Sequence, residues 1–161
     1  MRRVLAVFGS ALFLVLAPGT VAGLVPFWIS RWRFENVAPW SLPLRVAGGL
    51  LIAAGLAVLL ESFARFAIKG LGTPAPVFPT RHLVVSGLYR YVRNPMYLAV
   101  LAMIFGQALL FGNARLLAYG ALVWLGFHLF VVVYEEPTLR ATFGAEYERF
   151  CHSVSRWVPW G

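Results

Sequence analysis

Two groups of residues, about 40 positions apart, have the make-up of a ligand site. The first is Gly87 to Tyr97, GLYRYVRNPMY, which gathers Arg90, Arg93, Asn94, Pro95 and three tyrosines directly before the apolar run LAVLAMIFGQALLF. Asparagine followed by proline signals a helix start, because the amide side chain caps an open N–H and proline's fixed φ suits the first helical position. The amides of a first turn, with the positive end of the helix dipole, bind anions. Arg90 and Arg93 add charge beside that end, and Arg93 in particular can hold a carboxylate in a bidentate way. Tyr89, Tyr91 and Tyr97 supply flat faces and hydroxyls around the same spot.

The second group is Glu135-Glu136, at the end of another apolar run and followed by Pro137. Carboxylates at the edge of hydrocarbon are costly unless paired or solvated, which makes them functional candidates. Proline disfavours helical geometry in the residue before it. Glu135 and Glu136 are therefore expected to diverge, one toward the bundle and one toward water or a basic partner. Both groups also have a plain reading: an interfacial belt of arginine and tyrosine, and an ordinary ion pair of a glutamate with Arg90, Arg93 or Arg140. His128 lies seven residues before Glu135 and so shares its stripe of helix. A histidine there either takes a proton from an acceptor or bonds a neighbouring helix.

The elements that must position these groups follow from composition. The chain has 161 residues, 60% of them hydrophobic and only 12% charged, with a mean hydropathy of +0.76. That is too apolar for a soluble domain. About 20 apolar residues make one helical crossing, and four segments come near it: Val4 to Ile29, Leu42 to about Ile68, Tyr97 to Phe111, and Ala114 to Tyr134. Backbone groups in lipid must be satisfied internally, which favours helices, and the continuous apolar runs lack the alternation of a barrel. The third segment is short, so it either crosses incompletely or joins the fourth in a tight hairpin at Gly112-Asn113.

The fold expected is an all-α integral membrane protein of about four transmembrane helices plus a C-terminal amphipathic interfacial helix. It forms a single membrane domain over 1–161. Two helices fill 1–69; the loop, the hairpin and the C-terminal helix fill 70–161. Leu139, Phe143, Tyr147, Phe150 and Val154 give that last helix its apolar face, and RWVPW is expected to anchor it at headgroup depth.

Placing both termini in the cytoplasm puts ten basic residues inside (Arg2, Arg3, Arg65, Lys69, Arg81, Arg90, Arg93, Arg140, Arg149, Arg156) and four outside (Arg31, Arg33, Arg45, Arg115). The positive-inside rule favours that orientation, and anionic lipid then accounts for the net charge of +8 without nucleic acid. Arg2-Arg3 and the following apolar run also fit a signal peptide, but the run continues to Phe27 and Trp28, which suits an uncleaved anchor. The single cysteine, Cys151, excludes an internal disulfide and a thiolate metal cluster. Glu61 and Arg65 are spaced for a structural helical ion pair. The connection from Lys69 to Asn94, with prolines at 74, 76 and 79, is long for a mere joint.

An anion site beside a carboxylate site can grip a ligand bearing a carboxylate, hydroxyls and a cation, and S-adenosylmethionine carries all three. RHLVVSGLYRYVRNPMYLA, followed by EEPTLRATFGAEYERF, resembles the isoprenylcysteine carboxyl methyltransferase family and its phospholipid methyltransferase relatives, over roughly Gly72 to Pro159. The resemblance implies an S-adenosylmethionine site on the cytoplasmic side, lined by Arg81, His82, Leu83, Val84, Tyr89, Asn94, Pro95, Met96, Tyr97 and Glu135. His82 stands one place later than the histidine of some relatives, and Asn94 replaces a histidine often seen before the proline. Eukaryotic isoprenylcysteine enzymes place a substrate-associated arginine four residues before the first glutamate; Val131 stands there in this chain, which weakens prenylcysteine as the acceptor.

The function expected is methyl transfer from S-adenosylmethionine to a lipophilic acceptor, in a multi-pass protein of a bacterial inner membrane whose site faces the cytoplasm. Arg93 would hold the methionyl carboxylate and His128 would serve the acceptor. The acceptor can be a carboxylate, an amine headgroup, a thiol or an isoprenoid, and the oligomeric state is not legible. A lipid reductase using NADPH and a non-catalytic membrane scaffold are the competing readings.

Overall fold

The computed structural model describes residues 12, 14–35, 41–65, 83 and 85–159. Among them the regular elements are all helical: α1 (Leu14–Ser30), α2 (Ser41–Arg65), a 3₁₀ turn (Gly87–Arg90), α3 (Pro95–Phe111), α4 (Ala114–Phe143) and α5 (Ala145–Ser153). Arg81, His82 and Val84 lie outside the described residues, as does the proline-rich part of the connection.

Two helices, Leu42–Arg65 and Ala114–Phe143, are long and apolar enough to cross a membrane, while Leu14–Ser30 and Pro95–Phe111 are shorter apolar helices. At 1.5 Å per residue, the 17 residues of α3 span about 25 Å. The core helix of a soluble protein is mostly buried, yet the most apolar windows of the two long helices are only 28% and 17% buried. Leu122, Leu125, Leu129 and Val133 of α4 all face outward. An apolar face of that extent requires lipid or a partner to cover it.

The helices α2 and α3 make the most extensive contact among the described elements. They are antiparallel, with Gly48 against Gly106 and Gly55 against Ala99. A Cβ on Gly48 would stand 2.5 Å from the Gly106 carbonyl and 2.6 Å from the Leu110 nitrogen, so glycine is what lets the two backbones meet. Leu59, Phe63, Ala99, Val100 and Ile104 form the core at this contact, closed by Ala22 of α1. Gln107 holds α1 in place through a 2.7 Å bond from Nε2 to the Ala22 carbonyl.

The expected tight hairpin joins α3 to α4. Gly112 takes a left-handed conformation, and Asn113 caps α4 by accepting from the Leu116 amide at 3.2 Å. Glu35 meets this corner, its carboxylate accepting from Asn113 Nδ2 at 2.6 Å and its carbonyl from Arg45 Nη2 at 2.9 Å. The other end of the same helices carries Arg65, Tyr89, Asn94 and Glu135, so the two charged groups of the sequence share one end of the bundle.

Two expectations about the C-terminal half are corrected. The fourth helix does not stop near Tyr134 but continues to Phe143. Its turn Val131–Glu135 is a π-turn, in which the Glu136 amide bonds the Val131 carbonyl. Pro137 can stay in the helix because the widened turn rearranges the carbonyls its ring would strike. The helix expected from Leu139 to Val154 is also two helices, broken at Gly144 with φ 51° and ψ −124°. Its apolar residues turn on one another: Tyr147, Phe150 and Val154 pack with Leu83, Leu139, Phe143 and Cys151.

Candidate functional site

The helix start is fixed from both sides. Glu61 and Arg65 form the expected ion pair at the end of α2, and Arg65 Nη1 donates to Ser86 Oγ at 3.4 Å. Gly87 sits at φ 64°, with the Arg65 guanidinium packed where a Cβ would project. Any other residue would be strained there and would push the arginine away. The 3₁₀ turn that follows buries Tyr89. Burial first, and the Glu135 charge second, push the Tyr89 phenol above its ordinary range. Arg90 and Tyr91 are exposed.

Pro95 opens α3 as the sequence indicates, but the asparagine does not cap it. Asn94 is buried, makes no side-chain bond to the first turn, and donates from Nδ2 to the Arg156 carbonyl at 3.1 Å. Its φ of −122° and ψ of 54° leave the usual capping geometry, and the distant chain segment claims the amide instead. Met96 packs into the core at the α2–α3 contact.

The glutamates do diverge, by a different route from the one expected. Both have helical φ and ψ, so the divergence is the rotation of about 100° between consecutive helical residues. Glu135 Oε2 accepts from the Tyr97 hydroxyl at 2.7 Å, and Glu135 Oε1 bonds no described residue. Glu136 is 3% exposed and is surrounded by guanidinium groups. Arg93 Nη1 lies 3.1 Å from its Oε1, and Arg156 donates twice, Nε to Oε1 at 2.6 Å and Nη2 to Oε2 at 3.0 Å. Arg140 Nη2 is 3.8 Å from Oε2. Arg93 also points Nη1 at Cys151 Sγ, 2.9 Å away, while its Nε is buried with no hydrogen-bond partner among the described residues.

The C-terminal segment, which the resemblance implies encloses the site, joins it through residues that no local spacing marks. From Val154, extended at φ −134° and ψ 127°, it crosses the start of α3 as a strap. The Ser155 carbonyl accepts from the Arg93 amide at 2.9 Å, the Arg156 carbonyl from Asn94, and Trp157 Nε1 donates to His128 Nδ1 at 3.1 Å. The Trp157 ring lies 6.4 Å from that of Tyr97, whose other neighbour is Phe127 at 4.7 Å. RWVPW in the sequence fits a headgroup anchor equally well, and no local spacing signals that Arg156 meets Glu136.

Arg156 and Trp157 are thus additions to the sequence reading, while Glu136 takes the expected place of the glutamate facing a basic partner, with Arg93 and Arg140 among its arginines. The site residues brought together are Tyr89, Arg93, Asn94, Tyr97 and Glu135. Leu83 stands apart on the Tyr147–Phe150–Val154 cluster, and His128 is reached through the strap. A shallow groove lined by Leu44, Arg45, Leu109, Gly112, Asn113 and Leu117 lies at the opposite end of α3, away from this chemistry.

Outward apolar faces, with carboxylates and guanidiniums gathered at one end of a helical hairpin, mark a membrane protein with a cluster of charged groups at the edge of its apolar helices. The family model for phospholipid methyltransferase matches residues 44–146, from the first turn of α2 to the first turn of α5. The chain belongs to that family, and membership implies methyltransferase activity. No curated protein and no solved structure in the comparisons matches it.

Proposed function

We propose that the protein transfers a methyl group from S-adenosylmethionine to a lipophilic acceptor in the membrane. The observation that carries this reading is the double crossing of the two sequence motifs: Tyr97 on Glu135 and Arg93 on Glu136. It sets a carboxylate oxygen and an arginine N–H that no described residue bonds, together with aromatic rings, at one corner. The residues present suit the cofactor, since Arg93 Nε lacks an acceptor and Glu135 Oε1 lacks a donor among the described residues. Arg93 and the start of α3 would hold the methionyl carboxylate, Glu135 would accept from the ribose hydroxyls or the amino group, and Tyr97 and Tyr89 would pack against the adenosine.

When bound, the cofactor would supply a methyl group activated on a sulfonium, the acceptor's lone pair bonding the methyl carbon as the S–CH3 bond breaks and the sulfur leaves as a neutral thioether. The protein's task is positioning, which can account for much of the barrier without a covalent residue. Removing water around the reacting groups adds to it. Four crossings, with both termini and this corner on the cytoplasmic side of a bacterial inner membrane, fit the sorting of basic residues by end. In that arrangement α5 lies at the interface, with Glu146, Arg149 and His152 outward.

Calorimetry of purified protein with S-adenosylmethionine, in detergent and in lipid, tests the reading. Saturable binding is expected, lost in Glu135→Ala and Arg93→Ala while helicity by circular dichroism is kept. Binding of NADPH in its place, or of neither cofactor, would overturn it.

A further inference from the structure

We infer that Trp157 is a positioning residue for His128: it fixes the imidazole proton on Nε2, so that His128 meets the lipid acceptor as a hydrogen-bond donor to an oxygen of its polar end. An indole N–H only donates, and the imidazole nitrogen that receives it must carry a lone pair. With Trp157 Nε1 at 3.1 Å from His128 Nδ1, the ring proton of neutral His128 is on the other nitrogen. Nδ1 is then occupied and cannot take a proton while the strap is docked.

The ring is held from a second side by Trp124, stacked at 5.5 Å with an interplanar angle of 22°. Nε2 bonds no described residue, and it is not among the enclosed polar atoms that lack a partner. Leu125 and Leu129, which flank His128 on α4, are exposed apolar residues. The unbonded N–H therefore sits on an apolar flank, where the available acceptor is a membrane-resident molecule with an oxygen in its headgroup.

The strap links this flank to the glutamates. Arg156 is clamped on Glu136, Asn94 holds the Arg156 carbonyl, and Trp157 is the next residue. Its ring lies between His128, 6.1 Å away, and Tyr97, 6.4 Å away, and Tyr97 bonds Glu135. The order Glu135, Tyr97, Trp157, His128 runs from the cofactor corner to the lipid-facing side. The acceptor role assigned to His128 rests on the proposed methyl transfer; the tautomer does not.

The test is nitrogen NMR of protein carrying ¹⁵N-histidine in maltoside, with the His128 signal identified by its absence in His128→Gln. A bare Nδ1 and a protonated Nε2 are expected in the natural sequence, and mixed tautomers in Trp157→Phe. Dihexanoyl phosphatidylethanolamine and N-acetyl-farnesylcysteine are then titrated separately. The Nε2 signal should shift saturably with one of them, which separates a phosphate from a carboxylate source. Affinity for that lipid should fall about tenfold in His128→Ala and recover in His128→Gln, which places an N–H close to the same point. A protonated Nδ1 in the natural sequence, or no response to either lipid, overturns the inference. Absence of cofactor binding by calorimetry with the tautomer intact would remove the methyl-transfer reading and leave the Trp157–His128 assignment standing.

Discussion

Arg156 meets Glu136 with both prongs of its guanidinium, Nε on Oε1 at 2.6 Å and Nη2 on Oε2 at 3.0 Å, across 20 residues of chain. The bond to this carboxylate holds the Arg156 guanidinium above even its usual high value. One buried acid thereby fastens the C-terminal strap, the start of α3 through Arg93, and the last turns of α4 through Arg140. Removing it leaves the largely buried Arg93 without its carboxylate and facing the like charges of the more exposed Arg156 and Arg140.

Glu136→Ala should therefore lower stability by about 3 kcal/mol, because an uncompensated buried charge costs more than the pair itself is worth. Thermal melting in detergent measures the loss, and limited proteolysis should show the strap cut first. An unchanged melting temperature would mean that the guanidiniums are solvated without the glutamate.

Tyr97→Phe keeps the ring contact with Phe127 and removes only the hydroxyl on Glu135. A hydrogen bond to a charged group contributes about 1.5–3 kcal/mol. Affinity for S-adenosylmethionine should fall roughly tenfold, and melting should fall only by the loss of this one bond, since the ring still fills its place. Equal affinities in the two proteins would detach Glu135 from the cofactor.

Two glycines of similar helical context should behave oppositely. Gly48→Ala drives a Cβ against the α3 backbone and should destabilise the protein by about 1–3 kcal/mol, as overpacking does. Gly126 has nothing within 4 Å of the same point, and Gly126→Ala should be neutral or stabilising by up to about 1 kcal/mol through helix propensity. Chemical denaturation of both variants side by side decides whether α2 and α3 meet at Gly48.

Tyr89 sets an alkaline limit. Its phenol is pushed up in the fold, chiefly by burial, so the folded state favours the protonated form. That preference is fully present below the ordinary tyrosine value of about 10 and is lost as pH rises through the higher folded-state value. Melting of the natural protein should fall above pH about 10 more steeply than that of Tyr89→Phe. Parallel curves would show that the hydroxyl is reached by water.

Much of the scaffold is legible in the sequence because hydrophobic runs and turn residues act locally. Apolar length gives the helices, Gly112-Asn113 the hairpin corner, Pro95 the start of α3, and the spacing of Glu61 and Arg65 their ion pair. The combination of the Arg-Asn-Pro-x-Tyr start with Glu135-Glu136 identifies the family. Even the divergence of the two glutamates is correctly expected, although helical rotation produces it and proline does not.

What only the tertiary structure decides is who holds whom. Asn94 is a cap by local chemistry and a clasp for the Arg156 carbonyl in the fold. Glu136 has three arginines within reach and bonds two of them, one from a segment that reads as a membrane anchor. His128 is an ambiguous histidine until Trp157 occupies one of its nitrogens. Such pairings join residues 20 to 62 positions apart, and sequence periodicity carries no information at that range. They are chosen by which polar groups would otherwise be left buried without a partner when the apolar helices close.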